Sequence, residues 1–443
     1  MNKDLSIGNP RKVLWLYSLP LLASIIFQQL YNIADSLVAG KYLGENALAA
    51  VGNASEITLI YTAFAFGCNM GCCVVISQLF GAKKITELKT SVWTAFIAFG
   101  VMCVLLMLAG FLFIDSALRL IQTPDTILGD SSLYLDIYTW GMPFVFFYNI
   151  ATGIFSALGD SKTPFLFLAF SSLSNIGADI LFVTAFDMGV AGVAYATLIC
   201  QGISCVLSLV TLFFRLKKMK SEARPKIFSF KLLIQTLRIA IPSILQQGSI
   251  SFGNVMIQAV VNGFGESVIA GFTAASKLNS IAVSCLSAVS NGLSTFTAQN
   301  IGAQRYDRVK PGYRAGLLLD FILYVPLVLL YTIFGRQLIG AFMSKPSEDA
   351  LQAGALFLLI VSPAYIICGL KVISDGVIRG AGAINYFLLD TFADLLLRVL
   401  FSFILSRIWG PTGIWLSWPI GWAIGGIIAV FVYRKGLWRR NML

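Results

Sequence analysis

Two carboxylates, Asp35 and Asp179, stand in long apolar stretches of the chain that contain no lysine or arginine. An ionised side chain at the centre of a bilayer is unfavourable by about 2.5–3.5 kcal/mol on insertion scales, so such acids require a compensating partner. A bound cation or proton supplies one. Gln28, Tyr31, Asn32 and Asp35 recur at i, i+3, i+4 and i+7 and share one helical face. Asn175 and Asp179 are one turn apart, as are Thr197 and Gln201, so three polar faces can converge. Carboxylate, amide and hydroxyl oxygens are hard donors suited to Na⁺. The same acids can instead take a proton, because desolvation and a neighbouring like charge both favour the neutral form. The alternative for all these groups is to bond neighbouring helices together. For Asn149, Thr152, Tyr31 and Gln201 that choice is open.

These side chains have to be positioned by membrane helices. Of 443 residues, 57% are hydrophobic and 12% charged, against about 25% charged in a soluble domain. A spanning helix takes about 20 apolar residues, and twelve such stretches are present: 13–39, 50–79, 90–114, 131–158, 164–186, 190–214, 232–262, 270–300, 312–334, 350–379, 384–408 and 411–433. They are too long for barrel strands. The fold class is therefore all-α integral membrane. The first stretch exceeds the h-region of a signal peptide and reads as a retained span. The eight cysteines all lie in apolar runs as small core residues, and histidine is absent, which argues against redox, zinc and Ser/His/Asp chemistry. No P-loop appears, so ATP hydrolysis is not the driver.

One set of alternate connections, with both termini, holds 23 of the 32 basic residues, seven of them in 215–231. By the positive-inside rule both termini are cytoplasmic in a cell membrane. The net charge of +11 then belongs beside anionic lipid headgroups rather than nucleic acid.

At a shift of about 221 residues the chain resembles itself: Gly44-Glu45 recurs as Gly265-Glu266, Gln78 with Gly81-Ala82 as Gln299 with Gly302-Ala303, and Gly159, Gly189 and Gly192 as Gly380, Gly410 and Gly413. Pro20/Pro242 and Pro143/Pro363 fit within a residue. Six spans per half make a parallel repeat of two pseudo-symmetric lobes, 1–214 and 232–443, joined by a basic cytoplasmic linker, 215–231. Neither Asp35 nor Asp179 is repeated, which speaks against a purely architectural role for them.

With these landmarks in place, the sequence resembles the MATE (multidrug and toxic compound extrusion) family over nearly its whole length. The resemblance rests on Gln28 to Asp35, Gln78-Leu79-Phe80-Gly81-Ala82-Lys83, Gly153 to Pro164, Asn175 to Asp179 and Gly189-Val190-Ala191-Gly192. It is most similar to the DinF-like branch. That resemblance implies twelve helices in two lobes, a cation site at Asp35, Asn175, Asp179 and Thr197, and export of lipophilic, cationic compounds in exchange for H⁺ or Na⁺. The cavity-lining candidates are Gln28, Tyr31, Asn32, Asn149, Thr152, Gln201, Glu56 and Lys277. Tyr61, Phe64, Tyr138, Phe147, Tyr148 and Phe252 add aromatic surface for such cations.

The second half carries its own charges: Lys371, Asp375 and Arg379 at i, i+4 and i+8, and Asp390, Asp394 and Arg398 likewise. Rows of this kind can neutralise themselves along one helix. Asp375 also matches an acid of the NorM-like branch, although the corresponding acid of the seventh span is replaced by the region of Gln246 and Gln247. This makes a C-terminal cation site the alternative. Glu56 and Lys277 occupy equivalent positions in the two halves, which suggests an ion pair that forms in one access state. The expected protein is a monomeric transporter, with no catalytic residues and no cofactor beyond the coupling ion. Its partners are a small amphiphile and membrane lipid. The runner-up is a flippase of lipid-linked saccharides, which would want a basic cavity.

Overall fold

The computed structural model describes residues 3–43, 45–343 and 347–439, and the side chains of 30–41, 45, 46 and 48 are outside the described set. A chain in hydrocarbon must satisfy its backbone internally, and among the described residues every regular element is helical. The helices are α1 (Pro10–Leu43), α2 (Glu45–Gly81), α3 (Ile85–Leu120), α4 (Asp125–Ala157), α5 (Lys162–Thr184), α6 (Gly189–Lys218), α7 (Phe230–Asn262), α8 (Glu266–Gly302), α9 (Val309–Gly340), α10 (Glu348–Val361), α11 (Tyr365–Gly380), α12 (Ile384–Trp409) and α13 (Pro411–Arg434). Pro363 breaks the predicted tenth span into α10 and α11 through a single 3₁₀ turn, Ser362–Ala364. The twelve-span fold class is thereby realised.

The repeat reaches down to single backbone angles. Lys83 and Gln304, at matched positions after α2 and α8, both take positive φ, +59° and +57°. In each, the next amide turns back onto the helix end: Lys84 N donates to Leu79 O and Arg305 N to Asn300 O. This left-handed closure satisfies carbonyls that the ending helix leaves free.

The chain divides into two compact units. Unit one is Met1–Asp4 with Ala23–Ile244, and unit two is Leu5–Leu22 with Leu245–Leu443. Compared with lobes cut at 215–231, each unit therefore also holds the opening half of a helix that continues in the other unit. Both exchanges fall just after a proline inside a helix, Pro20 in α1 and Pro242 in α7. A proline there lacks the N–H and crowds the preceding turn, the usual cause of a helix kink.

Small residues let the exchanged halves pack closely. A Cβ on Gly71 of α2 would stand 2.8 Å from Thr236 O of α7 in unit one. At the matched position in unit two, a Cβ on Gly292 of α8 would collide with Ser18 of α1. The basic segment after α6 is docked rather than free. Thr90 Oγ1 and Thr94 Oγ1, one turn apart on α3, accept from Lys226 N and Ser229 N at 3.0 Å each, and Lys89 Nζ donates to Met219 O at 2.7 Å.

Candidate functional site

In unit one, α5 and α6 pack side by side, and a Ser171 Oγ to Cys200 O bond of 3.1 Å sets their register. Continuing along α5 from Ser171 by turns gives Asn175 and Asp179, which are 2% and 0% exposed. Thr197, one turn before Cys200 on α6, is buried as well. Asp179 lies within electrostatic reach of Cys200. The fold thus buries all three on adjoining helices: a carboxylate, an amide and a hydroxyl, the oxygen types a hard cation or proton takes. Asp35, Tyr31 and Asn32 have side chains outside the described set.

The remaining predicted residues have several kinds of surroundings. Asn69 Nδ2 donates to Asn149 O at 2.9 Å and to Thr152 Oγ1 at 2.8 Å, and Asn149 Nδ2 turns back to Val145 O, so this group clamps α2 to α4. Gln28, Glu56 and Lys277 are exposed and Gln201 is half-buried. Tyr61 and Tyr138 stack at 6.4 Å, while Phe252 is exposed.

In unit two, charges that look like two self-neutralising rows in the sequence meet across helices instead. Lys371 Nζ of α11 lies 3.0 Å from Asp375 on its own helix, 3.6 Å from Asp390 and 3.8 Å from Asp394 of α12. All four are buried. α13 makes room for them: a Cβ on Gly425 would stand 2.6 Å from Lys371 Cε, and one on Gly421 2.6 Å from Asp394 Oδ1. The two arginines of the rows face elsewhere. Arg379 donates to Asn291 Oδ1 at 2.6 Å, and Arg398 lies 4.4 Å over the Trp418 ring.

Three carboxylates within 4 Å of one ammonium put more negative than positive charge at this buried cluster, which a proton or another cation can balance. Asp375 Oδ1 and Asp394 Oδ1 accept no hydrogen bond among the described residues. Nor does either oxygen of Asp320 on α9, which is buried with Oδ2 against Gly369 of α11. Sequence reasoning missed Asp320. The signal was available, because it is a lone acid in an apolar span, as Asp35 and Asp179 are.

The motif 159–164 has a structural task at the turn from α4 into α5. Asp160 Oδ1 accepts from Lys162 N and Thr163 N at 3.1 Å each, and Oδ2 accepts from Thr163 Oγ1 at 2.7 Å and from the Arg215 guanidinium. Burial pushes this carboxyl up, but the Thr163 and Arg215 bonds and the guanidinium charge outweigh it and hold it below the usual carboxylate range. In unit two the repeat of the 78–82 motif anchors the N-terminal segment. Leu5 N donates to Gln299 Oε1 at 2.8 Å, and Arg308 donates to Asn300 Oδ1 at 2.8 Å and Gly8 O at 2.7 Å.

The family model MatE matches twice, over residues 20–181 and 242–404, and the model for the lipid II flippase MurJ matches 124–264. The "probable multidrug resistance protein YpnP" of Bacillus subtilis (strain 168) is 31% identical over 442 residues, covering 99% of this chain and 98% of that protein. Among solved structures, an outward-facing multidrug resistance MATE family transporter of the MOP superfamily superposes with a TM-score of 0.91 at 22% identity, covering 99% of both chains. A MOP superfamily transporter from Pyrococcus furiosus gives 0.91 at 22% identity, covering 98% of this chain and 97% of that one.

Proposed function

As a member of the MatE family, this chain is a multi-pass membrane transporter of small molecules and not an enzyme, and from that premise we propose that it is a secondary antiporter. It exports lipophilic, cationic compounds by alternating access, driven by inward flow of H⁺ or Na⁺. The observation that carries this reading is the burial of Asp179 and Asn175 on α5 and of Thr197 on the adjoining α6 in spans without lysine or arginine. An acid so placed is stable when a cation or proton shares it, and its occupancy biases which way the carrier faces. Asp35 completes the set by its place in the sequence pattern, which is that of the DinF-like branch. Both termini are assigned to the cytoplasm by the distribution of basic residues, and the carrier works as a monomer in the cell membrane.

The test is efflux of a fluorescent cation from vesicles holding the purified chain, under imposed proton or sodium gradients. Asp179→Asn and Asp35→Asn should each abolish gradient-driven efflux while the folded protein is retained. Undiminished efflux in both variants rejects the site.

A second reading places coupling in unit two, and the Lys371 cluster favours it. There an ammonium already sits among the three acids, so the exchangeable charge would be a proton. Loss of coupling in Asp375→Asn with Asp179→Asn unaffected would select it. Transport of a lipid-linked saccharide is the remaining alternative, supported by the MurJ match over 124–264. It predicts headgroup translocation without any gradient-driven cation efflux.

A further inference from the structure

Between α3 and α4, unit one carries a groove of about 540 Å³ lined by Val104, Met107, Leu108, Phe111, Asp136 and Trp140. Five of the six are apolar, and the Phe111 and Trp140 rings lie 5.1 Å apart. Val104, Leu108 and Trp140 are 54%, 55% and 64% exposed. α3 packs on α2 and α4 alone among its stronger contacts, and its apolar stretch is mostly uncovered. A face of this composition on a membrane protein meets acyl chains, yet Asp136 opens onto it.

Among the described residues Asp136 has no basic partner in an ion pair. Arg119 forms no ion pair among the described residues, and Asp115, within electrostatic reach of Asp136, is of the same sign, its Oδ1 accepting from Ser132 Oγ at 2.8 Å. Depth matters here. The 36 residues of α3 run about 54 Å against about 30 Å of hydrocarbon, leaving about 12 Å beyond it at each end. Asp136 lies about 16 Å along α4 from Asp125, a few Å below the headgroups. An ammonium group there reaches the carboxylate, with the Trp140 ring one turn deeper on α4 beside it.

We propose that this groove binds a phospholipid with a primary ammonium headgroup, phosphatidylethanolamine, its amine on Asp136 and its upper chains on Val104, Leu108 and Phe111. A drug-sized ligand is normally enclosed over 70–90% of its surface. This lining covers one side only, which suits a lipid whose other side meets its neighbours.

The full chain is purified and equilibrated with equal amounts of phosphatidylethanolamine, phosphatidylcholine and phosphatidylglycerol of matched chains, and retained lipid is counted by native mass spectrometry. One phosphatidylethanolamine should be retained about tenfold over the others, the effect of one charge-assisted hydrogen-bonded pair. Asp136→Asn should remove the preference and Asp136→Glu keep it. Leu108→Trp, which fills the groove and leaves the acid, should lower retention too. Equal retention of the three lipids, as for a protonated Asp136, overturns the proposal. So does a preference that survives Asp136→Asn. Tetraphenylphosphonium bound through Asp136 without any lipid preference would make the groove a drug site instead.

Discussion

Asp160 holds a helix turn by accepting four hydrogen bonds in a loop outside the spans, one of them from Arg215. Because its folded-state pKa is depressed, its contribution is present above the unfolded value of about 3.9 and is lost as pH falls through the lower folded value. Asp160→Asn should cost about 2–3 kcal/mol at pH 7. Thermal unfolding in detergent between pH 7 and pH 3 should show a smaller acid-side decline in the variant than in the parent. Lys371 is the converse case. Removing it leaves three buried acids unpaired, and Lys371→Met should cost about 3–5 kcal/mol, read as a lower unfolding temperature and partly restored by adding Asp375→Asn. At this scale the sequence made the isolated acids Asp35 and Asp179 legible, because an unpaired carboxylate in an apolar run stands out. It did not reveal which charges of α11 and α12 meet, since spacing along a helix says nothing about the neighbouring helix.

Helices locate these residues through small groups and hydroxyls. Gly71 and Gly292 mark matched close approaches of α2 to α7 and of α8 to α1. Gly71→Val or Gly292→Val should overpack these contacts at a cost of about 1–3 kcal/mol. A fall in unfolding temperature in both variants, against no fall in the exposed Gly52→Ala, checks it. The Thr90 and Thr94 hydroxyls hold the basic segment along α3. Thr90→Val with Thr94→Val should therefore speed proteolysis between 219 and 229 without altering the spans. Sequence reading saw that segment as a linker from its charge. Its docking depends on hydroxyls of α3 that composition alone cannot tell from ordinary helix threonines.

At the scale of the whole chain, the exchange of segments 5–22 and 230–244 between the units has a consequence for fragments. Each half cut in the 219–229 segment lacks the opening of a helix that its own unit needs, so neither should fold alone. The two halves made together should assemble and transport. Independent folding of either half, seen as a cooperative thermal transition of the isolated fragment, would count against this division. The sequence by itself determined the membrane solvent, the twelve spans, the internal repeat and the family, because hydropathy and recurring motifs are properties of order along the chain. Only the tertiary structure decided which unit each half of α1 and α7 belongs to, that one lysine gathers three acids, and that among the described residues Asp320 is buried without a hydrogen bond and Asp136 without an ion pair. Those outcomes depend on side chains far apart in sequence meeting within a few Å, where burial and charge set the energies.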